Sequence, residues 1–452
     1  MKYIRYAPVA ALIGTMLIGA PQGFAQNAET SSPSEPVRLT VAPNTSSRIA
    51  MKTLSKATCV LHAEGDSDAA HSFKVFADDE GMIRFQVSPS AESEQTARFA
   101  VECKADAQSR TFALELRANA VPSYDMPAPA TEVRTPRASD VIRPALTKAE
   151  AMSLSVDELL KRGYPVRPDA KQAPDALATW LRAVTKPSRM VDARQVARPE
   201  VRHVKPVTAS NFETSNNWSG FELRGASGTY DLVEGEWYVP TVYYETNAHT
   251  YSAFWIGLDG DGTSDLWQAG TEQEIQDISI FGIHFDFTNY YAWTEFLPPQ
   301  GTEQVLGNFT VTPGDLMFSE VWVGNSGQSP SLSGLYAIAF VEDISRGEFT
   351  TVYNCRGTSI FGICLNVSQT KIGGSEAEWI MERPTVGGSL PDLADYNYTF
   401  MYDAYALQSN GSWMNYDGAN NQQIFMYNGN DLLSGAYPWT GSTILFEWFN
   451  WH

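Results

Sequence analysis

Tyr290-Tyr291-Ala292-Trp293-Thr294-Glu295-Phe296 is a short run of aromatic, β-branched and small residues broken by one carboxylate. Gly235-Glu236-Trp237-Tyr238-Val239-Pro240 has the same texture, and from about Ser210 onward such runs recur with Gly, Asn and Asp between them and no helical period. Aromatic and β-branched side chains fit a pleated, half-buried surface, and many short strands with turn residues between them predict an all-β sandwich.

Upstream the texture changes. Residues 36–120 alternate apolar and polar positions, as in Ser72-Phe73-Lys74-Val75-Phe76 and Arg98-Phe99-Ala100-Val101-Glu102, which reads as a small antiparallel β domain. Residues 121–144 are rich in Pro, Ala, Thr and Ser and read as a linker. Residues 145–205 read as a helical segment lying against something larger, with Ser155 capping one short helix and Leu177, Trp180 and Leu181 sharing one face of a second over Asp175 to Val184. Residues 211–452 form the predicted sandwich. No internal repeat is present.

The N-terminus carries Lys2 and Arg5, then an apolar run from Ala7 to Ala20, then Gly23-Phe24-Ala25 before Gln26. That pattern predicts a signal peptide over 1–25 and a secreted or periplasmic product, because the run is too short for the roughly 20 residues of a membrane span. Export places the four cysteines in an oxidising compartment, where the local pairs Cys59 with Cys103 and Cys355 with Cys364 are expected as disulfides. Neither pair has zinc-type spacing.

Of 452 residues, 43% are hydrophobic and 19% charged, which describes a globular chain long enough for two or three folding units. The net charge of −20 divides unevenly: 27 Lys+Arg against 23 Asp+Glu up to residue 205, and 5 against 29 beyond it. Opposite signs in one chain suggest that the first half partners the second. Basic residues such as Arg182, Lys186, Arg189, Arg194 and Arg198 are expected to pair with its carboxylates and hold the prosegment over a cleft. The acidic half would repel nucleic acid.

Beyond residue 205 there are only three histidines, His249, His284 and the terminal His452, and no zinc-binding His-Glu-x-x-His, nucleophile elbow or aspartic-protease triplet. Carboxylate chemistry is what remains. On a strand through Glu378-Trp379-Ile380-Met381-Glu382, alternation sets Glu378, Ile380 and Glu382 on one face, so that face should line a cleft or meet solvent. Gln268 sits in an otherwise apolar run, where position alone allows an ordinary sheet-face amide.

Three blocks occur in order: Asn217-Trp218-Ser219-Gly220 with Trp237-Tyr238-Val239-Pro240; Phe254-Trp255-Ile256-Gly257-Leu258-Asp259-Gly260-Asp261 through Leu266-Trp267-Gln268-Ala269-Gly270-Thr271 to Trp293-Thr294-Glu295-Phe296-Leu297-Pro298; and Ala377-Glu378-Trp379-Ile380-Met381-Glu382-Arg383-Pro384. Together they resemble the glutamic peptidase (eqolisin) family over about residues 211 to 450. The resemblance implies two packed seven-stranded antiparallel sheets of the concanavalin-like type and a pepstatin-insensitive endopeptidase acting in acid on polypeptides. It places the catalytic pair on Gln268 and Glu382, and puts Trp218, Trp255, Asp259, Trp293 and Glu295 in substrate binding or support. It implies a monomer whose partners are polypeptide substrates and its own prosegment, with no cofactor, no metal and no membrane after signal removal. Trp267 stands where the family leads one to expect an aliphatic residue, a change expected to alter the cleft. A lectin-like sugar-binding module, or a glycosidase using Glu295 and Glu382, remains the alternative, since fold does not settle function.

Overall fold

Along Leu266–Ile280 the odd-numbered Trp267, Ala269 and Ile275 enter the main apolar core, whereas Gln268, Gly270, Glu272 and Glu274 take the opposite face. Glu376–Glu382 behaves likewise: Ala377, Trp379 and Met381 point into the core and Glu378, Ile380 and Glu382 point away. In the computed structural model, residues 37–41, 47–64, 72–79, 81–89, 95–118, 140–204, 214–243, 248–280, 283–360, 363–365 and 372–451 are described. The signal peptide expected at 1–25 and the linker up to residue 139 lie outside the described residues. Among the described residues no helix is long and apolar enough to cross a membrane.

The sandwich is built from β1 (Trp218–Arg224), β2 (Tyr230–Tyr238), β3 (Thr250–Leu258), β4 (Leu266–Ile280), β5 (Ile283–Leu297), β6 (Gln304–Thr310), β7 (Leu316–Gly324), β8 (Tyr336–Asp343), β9 (Glu348–Cys355), β10 (Glu376–Glu382), β11 (Tyr398–Gln408), β12 (Asn421–Asn428), β13 (Asp431–Pro438) and β14 (Ile444–Trp448). The first sheet runs β6-β5-β4-β3-β10-β1-β12 and the second β13-β14-β11-β2-β7-β8-β9, all antiparallel. Strand β12 belongs to both edges, pairing with β1 through Asn421–Ile424 and with β13 through its second half. Between the sheets lie Trp237, Phe254, Trp267, Trp379, Met401 and Phe446. Burying each such side chain contributes about 1.5–3 kcal/mol, which makes this core the main source of stability. Trp267 therefore does not reach the cleft: its indole is inside, donating to Ile338 O at 2.8 Å.

The small N-terminal sheet is mixed, not wholly antiparallel. Its order is Val37–Val41, Gln108–Ala118, Gln95–Ala105, Thr58–Ala63, Ser72–Phe76, and the first pair is parallel. The next strand, Ser47–Lys52, pairs instead with Met82–Pro89, which continues onto Phe285–Thr288 of β5. Phe287 enters the core of this N-terminal unit, so shared strands and shared packing fasten it to the long β4–β5 hairpin. Disulfides join Cys59 to Cys103 and Cys355 to Cys364.

Three helices follow: α1 (Lys148–Ser153), α2 (Val156–Lys161) and α3 (Pro174–Val184). Thr147 with Glu150, and Ser155 with Glu158, form reciprocal capping boxes, while Pro174 opens α3 where no backbone donor is lost. This segment packs on the outer face of the second sheet, where Val166, Ala173 and Ala176 meet Leu232, Phe318, Trp322, Ile338 and Phe340. Arg143 anchors it, with both Glu342 oxygens within 2.8 Å and its guanidinium 4.4 Å from the Phe349 ring centre. Residues read as the end of a linker thus form a docked strand, Ile142–Arg143, against Ser188–Met190.

The expected latch is accordingly divided. Arg182 pairs with Glu236 and Arg189 with Glu348, both on strands of the second sheet; Lys186 is exposed and Arg194 faces Asp106. Of the five basic residues only Arg198 lies in the cleft of the first sheet, beside Glu274. The helices settle where an apolar face is available, and the first sheet's outer face is covered by a different, extended stretch.

Candidate active site

The outer face of the first sheet gathers the polar side chains that alternation directs away from the core. Register sets Gln268 opposite Glu295, and Gly270 between Trp255 and Trp293; two strands from β4, Glu382 lies opposite Ala253, which in turn faces Glu272. Gly270 is required at this point, since a Cβ there would sit 2.5 Å from both Phe254 O and Trp255 Cβ. With Gly270 and Ala253 on its floor, the site has room among its large aromatic neighbours.

That room is filled by the chain itself. Residues 198–204 cross the site: Arg198 to Val201 form a turn closed by Val201 N donating to Arg198 O, Arg198 N donates to Glu303 O, Glu303 N to Val201 O, and Val201–Arg202 pairs antiparallel with Thr385–Val386. His203 is fully buried at the centre. Its N–H donates to Glu295 Oε2 at 2.9 Å, and its carbonyl oxygen accepts from Gln268 Nε2 at 3.0 Å. Its ring places Nδ1 3.1 Å from Glu382 Oε2 and Nε2 3.0 Å from Glu303 Oε2, and stacks on Trp293.

Both Gln268 and Glu382 thus touch one residue, the one that follows the short strand Val201–Arg202. Gln268 Nε2 also donates to Glu295 Oε2 at 3.2 Å, which fixes the amide with its donor toward His203 O. Trp255 Nε1 donates to Glu382 Oε2 at 2.8 Å, and Asn217 Nδ2 lies within 3.3 Å of Glu382 Oε1 and 2.7 Å of Val204 O. Trp218 packs edge-on to Trp255 at 5.0 Å. Asp259 stands apart: with a left-handed φ of 62° it accepts from the amides of Gly374 and Ser375, clamping the turn that leads into β10. It supports the strand carrying Glu382.

Electrostatics follow from burial and from the cluster. Burial raises Glu295 to about 8, with the His203 charge offsetting part of the effect. Glu272 is pushed well above its ordinary value by burial and by Glu303. Burial acts to raise Glu303 as well, yet hydrogen bonding from His203 and the charge of Arg198 hold it below the usual carboxylate value. His203 is the counterpart: burial opposes its charge, and Glu382 and Glu303 outweigh that and hold its pKa well above normal.

Sequence reading missed His203, Glu272 and Glu303. His203 is the one histidine of 140–204 and lies in the basic stretch Arg202-His203-Val204-Lys205, a pattern that reads as solvated surface. His203, Glu272 and Glu303 also bring one ligand-type atom each within 4.8 Å of one another. Because both ring nitrogens are already directed at carboxylates, the arrangement is that of a hydrogen-bonded imidazolium; a metal would need a bare nitrogen.

Residues 216–444, half of the chain, match the model of the Peptidase A4 family. No curated protein matches. Among solved structures, scytalido-glutamic peptidase with a peptide-based transition-state analogue is similar at 19% identity and a TM-score of 0.39, covering 52% of this chain and 98% of that one. SCP-B, a member of the eqolisin family in complex with the tripeptide Ala-Ile-His, is similar at 16% identity and a TM-score of 0.37, again covering 52% and 98%.

Proposed function

Because this chain belongs to the peptidase A4 family, we propose that it is a secreted proenzyme of an acid endopeptidase that works with Gln268 and Glu382 and is held latent by its own residues 198–204. The observation that carries this reading is the hydrogen bond from Gln268 Nε2 to the backbone carbonyl of His203, made while Glu382 lies against the same residue. A peptide carbonyl is thereby held where an amide donor can stabilise a developing oxyanion, an interaction worth about 2.7–4 kcal/mol.

In a productive complex Glu382 takes a proton from water, the hydroxide adds to the carbonyl carbon, and the protonated carboxyl then delivers its proton to the departing amine. Trp255 fixes the carboxylate. Gln268 Oε1, buried and without a hydrogen-bond partner among the described residues, is available to orient the water. In the resting chain the His203 ring occupies Glu382, so the base cannot act.

Acid loosens this arrangement. The depressed pKa of Glu303 means that its contribution is present above the unfolded value of about 4.5 and is lost as pH falls through the lowered one. The raised pKa of His203 has the opposite sense, contributing below about 6.5 and failing only as pH rises through its elevated value. Glu295 and Glu272, raised by burial, keep their contribution in acid, so opening on the acid side rests on the loss of the Glu303 contribution. The test is to incubate the full-length chain and Glu382→Gln at pH 7 and pH 4, with denatured casein and pepstatin present, and to follow both proteins by gel. Casein cleavage and self-conversion by the parent chain alone, at pH 4 alone, are expected. Activity of Glu382→Gln in pure form would refute the assignment.

A further inference from the structure

The His203 ring occupies a pocket with a chemistry of its own. Trp293 lies parallel to it at a centroid distance of 3.8 Å and an angle of 5°. At Nε2 stand Glu303 Oε2, 3.0 Å away, and Glu272 Oε2, 3.5 Å away; at Nδ1 stands Glu382 Oε2. A neutral imidazole has one N–H and can donate at one nitrogen only, so carboxylates at both select the protonated ring. An indole face favours a cation too. Trp293, Glu272, Glu303 and Glu382 are all fully buried, so an apolar side chain in this place would leave buried carboxyl groups without their partner.

We propose that the pocket of Trp293, Glu272 and Glu303 is a subsite for a cationic side chain on the residue whose carbonyl Gln268 polarises, the residue just before the bond to be cut. This rests on the peptidase reading above. It makes His203–Val204 the bond that the segment presents, and it makes His, Lys or Arg the preferred residue at that position in substrates. The titratable groups facing the ring and its backbone are Glu272 from β4, Glu295 from β5, Glu303 from the turn before β6 and Glu382 from β10; burial favours the neutral form of Glu272 and Glu295, so the negative charge that meets Nε2 is centred on Glu303. Among the described residues the cation standing against them is Arg198 of the same segment, which is turned to Glu274 and the Tyr291 hydroxyl. Because an imidazole on Glu382 competes with water for the base, the charge preference belongs in KM, and kcat is to be read separately.

The test has two arms. In the full-length chain at pH 6, hydrogen exchange over residues 201–204 is measured for the parent, His203→Lys, His203→Arg, His203→Gln, His203→Leu and Glu303→Gln. Protection within about threefold of the parent is expected for Lys and Arg, and a loss of at least about tenfold for Gln, Leu and the Glu303 variant. In the second arm the acid-treated parent is given peptides differing only at this position. His, Lys and Arg peptides should show KM values at least about tenfold below those of Leu and Gln. Equal protection in all variants, or cleavage of every peptide with one KM, overturns the subsite while leaving the peptidase reading intact. Charge-dependent protection with no peptide cleaved supports the subsite and overturns the peptidase reading instead. Should Glu303→Gln fail to fold, the four His203 variants carry the first arm alone.

Discussion

Replacing Glu295 by Gln separates the carboxyl's hydrogen bonds from its charge. Glu295 is fully buried, and burial places its pKa near 8, against an ordinary value of 4.5. Because the folded value is the higher, the folded chain holds a proton between about pH 4.5 and 8 that the unfolded chain has released, and stability falls as pH rises through that window. The slope is about 1.4 kcal/mol per pH unit, so going from pH 5 to pH 7 should cost the parent on the order of 2 to 3 kcal/mol through this group alone. In Glu295→Gln the amide oxygen can still accept from Gln268 Nε2 and from the His203 N–H, so the site keeps its geometry and loses that dependence. Thermal melts of the two full-length proteins at pH 5, 6 and 7 measure the effect. The parent's melting temperature should drop more steeply with pH, the two curves converging toward acid. Parallel curves would show that Glu295 does not carry the proton that its burial implies. Peptidase activity at pH 4 should survive in Glu295→Gln far better than in Glu382→Gln, and equal losses would return the carboxylate-pair alternative.

Glu382→Gln should abolish casein cleavage, and Gln268→Ala should lower kcat by roughly 10²–10³ with the fold retained by circular dichroism, the size found when one oxyanion donor is removed. Acid conversion of the parent should leave Val204 as a new N-terminus, read by sequencing, and the two fragments should still co-elute in gel filtration at pH 7, because residues 140–190 pack on the second sheet and not on the site. Arg143→Ala should destabilise the full-length chain by about 3–5 kcal/mol in urea unfolding, since Glu342 would be left buried without its partner. Thiol labelling of the unfolded, unreduced protein should find no free sulfhydryl, given the two disulfides.

Much of this molecule was legible before its folding. The alternation of Trp267 and Ala269 against Gln268, or of Trp379 and Met381 against Glu382, is local, because a strand turns successive side chains to opposite faces whatever it pairs with. Strand content, the Ser155 cap, the cysteine pairs and the two polar positions all follow from such short-range rules. Which strands become neighbours is a different matter. Only the order β4-β3-β10 brings Gln268 and Glu382 to one residue, and only the placement of Glu272, Glu295 and Glu303 around that point makes the site acidic. The sequence also could not say which face the helical segment would cover, because both sheets offer carboxylates to its basic residues; packing decided it, through the apolar patch of Leu232, Phe318, Trp322 and Phe340. His203 was invisible for the same reason. A lone histidine in a basic stretch looks like solvated surface until the fold surrounds it with an indole and three carboxylates, and at that point removal from water makes each contact matter.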